Sequence, residues 1–178
     1  YLLLWSTQSL SALGSGLTGY SLVLWLYTQS GSALKTALLS VCSYAPYVIM
    51  SIFAGALSDR WNKKKIMLVC DLAAAISTAA VFVLIKTDHL EIWHLYLVNA
   101  LSGLMNTVQQ PAAEVAATML IPEKHYQRTS SLRSFSQSLN TILTPVIATA
   151  LFTLAGIDSV IAVDLITFAV AFLTLIFI

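Results

Sequence analysis

Four ionisable side chains stand inside long apolar stretches: Asp71, Glu114, Arg133 and Asp164. A charge in such a setting is costly to hold, so it is first read as serving a proton, an ion or a charged ligand. Asp71, Glu114 and Arg133 fall toward one end of their stretches and can pair with one another or with Arg60. That favours a salt-bridge cluster locking one conformation over proton coupling, because groups near an interface can stay solvated. Asp164 lies about two helical turns inside its stretch, placed to take a proton or a cationic ligand, or merely to tie down packing. Asp164 and Asp71 are the two coupling candidates.

Amides and hydroxyls offer a second kind of chemistry. At helical spacing, Gln8, Ser11, Ser15 and Thr18 share a face. So do Asn99, Ser102, Asn106, Gln109 and Gln110, and likewise Ser134, Gln137, Ser138, Thr141 and Thr144. Such faces cannot look at hydrocarbon, where unpaired polar groups are expensive. The first and last of the three suit packing seams. The middle one carries more hydrogen-bonding capacity than a seam needs, and reads as the wall of an aqueous cavity that admits substrate. Substrate contacts are therefore expected at Gln8, Ser11, Asn99, Asn106 and Gln137, with Tyr44 and Tyr47 as an apolar wall. Asp88, His89, Glu91 and His94 have metal-capable side chains but lack a helical two-histidine pair, so no metal site is expected. No nucleophile elbow, P-loop or dinucleotide fingerprint occurs, and neither enzyme chemistry nor a cofactor is expected.

The elements that position these groups follow from composition. Of 178 residues, 58% are hydrophobic and 10% charged, against roughly 25% charged in soluble domains. Lipid is the expected solvent, and no basic patch invites nucleic acid. A spanning helix needs about 20 mainly apolar residues; charge, Gly and Pro divide the chain into six such runs, approximately 2–27, 35–58, 66–86, 93–113, 130–154 and 159–178. Cys42 and Cys70 lie inside runs and read as small buried hydrophobes. The chain opens at Tyr1 and closes at Ile178 within an apolar run, as expected of a fragment.

Charge sets the expected sidedness. Arg60, Lys63, Lys64 and Lys65 place four of the nine basic residues within six positions, which puts the 59–65 loop in the cytoplasm by the positive-inside rule. The 122–128 loop, with Lys124 and Arg128 and with Arg133 just beyond, must share that face. Only Lys35 and Lys86 flank the other. Leu10-Ser-Ala-Leu13 recurs as Leu101-Ser-Gly-Leu104, and Cys70-Asp71-Leu72-Ala73 is matched by Val163-Asp164-Leu165-Ile166, at offsets of 91 and 93 residues. With an odd number of helices intervening, this predicts an all-α membrane protein of six transmembrane helices in a 3+3 inverted repeat, 1–86 and 87–178. Pro46 and Pro145 fall at matching points of the two triplets, where they can bend a helix.

Gly55-Ala-Leu-Ser-Asp59-Arg60-Trp-Asn62-Lys63-Lys64 resembles the loop signature between the second and third helices of the major facilitator superfamily: Gly, three residues, Asp, a basic residue, one residue, Gly, then basic residues. Further matches are Val23-Leu24-Trp25-Leu26-Tyr27, Gly31-Ser32-Ala33, Trp93-His94-Leu95-Tyr96-Leu97 and Gln110-Pro111-Ala112. The whole chain looks like the drug- and macrolide-efflux branch, which also includes siderophore exporters. The resemblance implies the amino-terminal half of a twelve-helix transporter in a bacterial inner membrane, partnered by lipid, a small-molecule substrate and a second half or second copy. The first and fourth helices would line the central cavity, the second and fifth would meet the other half, and the third and sixth would lie outside. It also implies a gating motif: Gly55 allowing close helix contact, Asp59 bonding to the other half, Arg60 pairing with Glu114, and Lys64 in the basic run. Asn62 replaces the usual Gly, and a left-handed backbone is expected there. The fifth helix keeps only Pro145 of an antiporter Gly-Pro motif, and the fourth lacks the arginine of many proton antiporters. Export by alternating access, driven by an ion gradient with the proton foremost, is the implied activity. A six-helix membrane scaffold or receptor-like partner that transports nothing is the alternative.

Overall fold

The structure is a computed structural model describing residues 2–120 and 126–177, apart from the side chains of 2, 4, 55–60 and 117–120. The described chain consists of helices joined by short connections: α1 Leu2–Ser30, α2 Ala33–Arg60, α3 Lys63–Lys86, α4 Ile92–Leu120 and α5 Tyr126–Phe177. α5 is broken at Gly156, whose φ of 76° and ψ of 173° are non-helical. Only glycine adopts that combination without strain, so α5 has two arms that change direction there.

Local chemistry explains the other boundaries. α1 stops at Gly31, at φ 60°, with its N–H donating to Tyr27 O at 2.9 Å; glycine accepts this left-handed stop without cost. Ser32 then caps α2 by accepting from Lys35 N–H at 3.4 Å. Asn62 departs from expectation, since its backbone is extended (φ −66°, ψ 118°) and it caps α3 instead. The reason is its side-chain oxygen, which accepts from Lys65 N–H at 3.3 Å and satisfies one of the orphan donors of the first turn. α4 runs on through Pro111 to Leu120, past the expected end at 113. At its start, Glu91 and His94 bond locally, with Glu91 N–H donating to His94 Nδ1 at 3.1 Å and Trp93 Nε1–H to Glu91 Oε2 at 2.6 Å.

Among the described residues, three helical segments are long and apolar enough to cross a membrane: Ala33–Ala54, Lys63–Lys86 and Tyr126–Phe177. α1 and α4, each 29 residues, have the length, about 44 Å at 1.5 Å per residue; their amide and hydroxyl stripes dilute the hydropathy.

Packing follows the placement of small residues. The most extensive pairings are α1 with α5 and α2 with α4. In α1, a Cβ at Gly14 would collide with Thr167 Oγ1, and one at Gly16 would sit 3.2 Å from Thr144 Oγ1. In α4, a Cβ at Gly103 would strike the backbone carbonyl of Ser43 in α2. In lipid, such close approach and interhelical hydrogen bonds hold helices together where hydrophobic burial cannot. Apolar clusters close both ends: Leu22, Leu26, Leu39, Val81 and Leu95 at one, Met67 and Leu175 at the other. On α3, Val69, Ile76 and Val83 are exposed at seven-residue spacing, an apolar stripe pointing away from the polar interior.

Candidate functional site

Between the two apolar ends lies a cavity of about 510 Å³, within the size range of small-molecule sites. α1 contributes Gln8, Ser11, Ser15 and Thr18, and α4 contributes Asn99, Ser102, Asn106, Gln109 and Gln110. The two stripes inferred from helical spacing thus face one hollow. Behind them, α3 supplies Asp71, Ser77 and Thr78, and the second arm of α5 supplies Asp164. The third and sixth runs, expected on the outside, therefore build the back wall. Each carries a carboxylate that must be turned toward hydrogen-bond donors on neighbouring helices rather than toward lipid.

The two acids are buried, Asp71 at 7% exposure and Asp164 at 3%, and are held differently. Asp71 accepts from Gln109 Nε2–H at 2.6 Å and from Gln8 Nε2–H at 3.2 Å. Asp164 accepts from Ser15 Oγ–H at 3.0 Å and from Thr78 Oγ1–H at 3.3 Å. Asp71 and Thr78 are seven residues apart on α3, so one face of that helix touches both carboxylates, with a rise of about 10 Å between the two points. Salt bridges lie elsewhere among the described residues. Arg133 NH2 meets Glu114 Oε1 at 3.2 Å, tying α4 to the first arm of α5. Lys86 Nζ meets Asp158 Oδ2 at 2.6 Å, tying the end of α3 to the chain just past Gly156.

The expected substrate residues divide accordingly. Gln8, Ser11, Asn99 and Asn106 line the large cavity. Gln137 lines an adjoining space of about 210 Å³, together with Trp5 and Asn140. Tyr44 is 69% exposed on the outer side of α2, and neither it nor Tyr47 lines either space. Of the expected gating residues, Lys64 Nζ donates to Ile176 O at 3.0 Å, and Glu114 is engaged by Arg133. The side chains of Gly55, Asp59 and Arg60, and residues 121–125 of the second basic loop, lie outside the described residues. Of the partners of the acids, Gln8, Gln109 and Ser15 lie on the inferred polar stripes, while Thr78 of α3 was assigned to none. What the spacing within single helices left unsaid is which helix they meet.

The chain belongs to the Major Facilitator Superfamily, whose match covers residues 4–178. Members of this family are membrane transporters. The chain is 24% identical to macrolide efflux protein A of Streptococcus pyogenes over 171 residues, 96% of this chain and 42% of that protein. It is 25% identical to macrolide efflux protein A of Enterococcus faecalis, over 81% of this chain and 44% of that protein. It is 29% identical to the multidrug efflux pump Tap of Mycolicibacterium fortuitum, over 56% of this chain and 24% of that protein. The chain thus spans about two fifths of the length of the macrolide efflux relatives it matches. No solved structure matches it significantly.

Proposed function

We propose that residues 1–178 form the amino-terminal half of an efflux transporter in a bacterial inner membrane. The half is built as six spans in two inverted triplets, 1–86 and 87–178, and exports amphipathic drug-like or siderophore-like molecules. The break at Gly156 supports the sixth span by dividing α5. The close approach of α1 at Gly16 to Thr144 in the first arm of α5, and of α4 at Gly103 to Ser43 in α2, supports the inverted repeat, since exchanging the first span with the fourth and the second with the fifth turns one contact into the other.

The observation that carries the reading is the polar cavity of about 510 Å³ in a chain related over most of its length to efflux proteins. Substrate contacts Gln8, Ser11, Asn99 and Asn106 there, with Gln137 in the adjoining space. The 59–65 and 122–128 loops face the cytoplasm, and Gly55, Asp59, Arg60 and Lys64 form the gate beside Glu114. Alternating access exposes the cavity to each side in turn by rocking this half against the other half, or a second copy, with an ion gradient acting through Asp164 and Asp71. Expression in a drug-sensitive bacterium tests the reading: intracellular accumulation of at least one amphipathic compound falls, and Asp59→Asn restores accumulation at equal expression. Accumulation unchanged across a broad compound panel would contradict it.

A further inference from the structure

We propose that Asp164 and the hydroxyls around it form a binding site for a sodium ion. Its role as coupling ion rests on the export reading above; the site itself is a claim about binding.

The donor set carries the inference. Ser15 of α1 and Thr78 of α3 bring hydroxyls to the two carboxylate oxygens, at 3.0 and 3.3 Å. Thr18, one turn after Ser15, also stands beside Asp164. Its side chain is only 5% exposed, yet its hydroxyl completes no directed hydrogen bond, which is costly for a buried polar group. A cation at the carboxylate gives that oxygen a partner.

The contrast with Asp71 sharpens the argument. Its partners are amide NH2 groups, which can only donate. A hydroxyl both donates and accepts, so Ser15, Thr18 and Thr78 can turn their protons outward and present lone pairs to an ion. An all-oxygen set with a carboxylate suits a hard cation. One carboxylate balances one positive charge, and neither ion pair found among the described residues involves Asp164; a divalent ion would leave a buried surplus. The hydroxyls stand at ordinary hydrogen-bond separations from the carboxylate, 3.0 and 3.3 Å, so a small ion such as sodium can take the place of the bridging protons with little movement of the helices. Access is from the cavity, which both Ser15 and Asp164 line. An ion held there joins α1, α3 and the second arm of α5, which is how its arrival biases their packing.

Titration of the purified intact protein with radioactive sodium in a choline background tests this. The expected result is saturable binding at one site, competed by lithium and not by potassium. Asp164→Asn abolishes it, while Asp158→Asn, on the same helix but in the exposed pair, leaves it unchanged. Thr18→Val keeps the shape of the side chain and leaves the Ser15 and Thr78 bonds to Asp164 in place, so it should fold; it is expected to weaken sodium affinity about tenfold. Absence of saturable binding to the folded protein, or unaltered affinity in Thr18→Val, overturns the inference. Proton-driven export by a protein that shows no saturable sodium binding overturns it and leaves the export reading standing. Sodium binding without export of any compound would do the reverse.

Discussion

Gln109 of α4 donates its side-chain N–H to Asp71 of α3 at 2.6 Å, and Gln8 of α1 approaches the other carboxylate oxygen at 3.2 Å. Three helices therefore meet at one buried acid. Asp71→Asn keeps the shape but sets its NH2 against one of the two NH2 donors and leaves the other a neutral acceptor. It is expected to lower stability by about 1–2 kcal/mol, read as an earlier unfolding transition in detergent. An unchanged transition would mean these bonds do not hold α1 and α4 to α3.

The crossing of α2 and α4 depends on a missing side chain. Any Cβ at Gly103 meets the Ser43 carbonyl, whereas one at Gly19 meets nothing within 4 Å. Gly103→Val is expected to cost about 1–3 kcal/mol through overpacking, while Gly19→Ala is neutral or slightly stabilising. Equal melting behaviour of the two variants would show that α2 and α4 do not approach there.

Gly156 is tested in the same way. At φ 76° and ψ 173° an alanine would be strained by about 1–3 kcal/mol. Gly156→Ala should destabilise the protein by that order, and a wild-type transition would indicate that α5 does not turn at this residue.

Lys86 and Asp158, 2.6 Å apart and both about half exposed, contribute at most about 1 kcal/mol as a surface pair. Their value is as a marker of topology. Lys86→Cys with Asp158→Cys should cross-link with a short bis-maleimide, reporting that the end of α3 lies beside the chain just after Gly156. Failure of that link while each cysteine reacts singly would contradict the arrangement.

Much of this was legible from side-chain spacing. The helical character, the polar stripes of α1 and α4 and the standing of Asp71 and Asp164 within apolar sequence follow from where polar groups interrupt it; that the α1 stripe faces the cavity, and that Asp71 is held by amides rather than by a salt bridge, does not. Three further features were not legible. Asn62 was expected in a left-handed turn, but its side chain found a capping bond that motif matching does not weigh. The third helix was expected to lie outside, yet Asp71 and Thr78 lie seven apart on α3 and turn one face inward. Tyr44 looked like a cavity wall by type alone, and it is the packing of α2 against α4 that turns it outward. Direction between helices is set by close approaches such as Gly14 on Thr167 and Gly103 on Ser43, which no single-helix pattern contains.

The central claim is that the amide-bearing faces of α1 and α4 enclose an aqueous route for substrate. Asn106, exposed toward the cavity, reports on it most directly once Cys42 and Cys70 are replaced. The account predicts that Asn106→Cys reacts with a hydrophilic maleimide from the aqueous phase and that a transported compound slows the reaction. A cysteine there that stays unreactive with and without substrate, and under either direction of ion gradient, would contradict it.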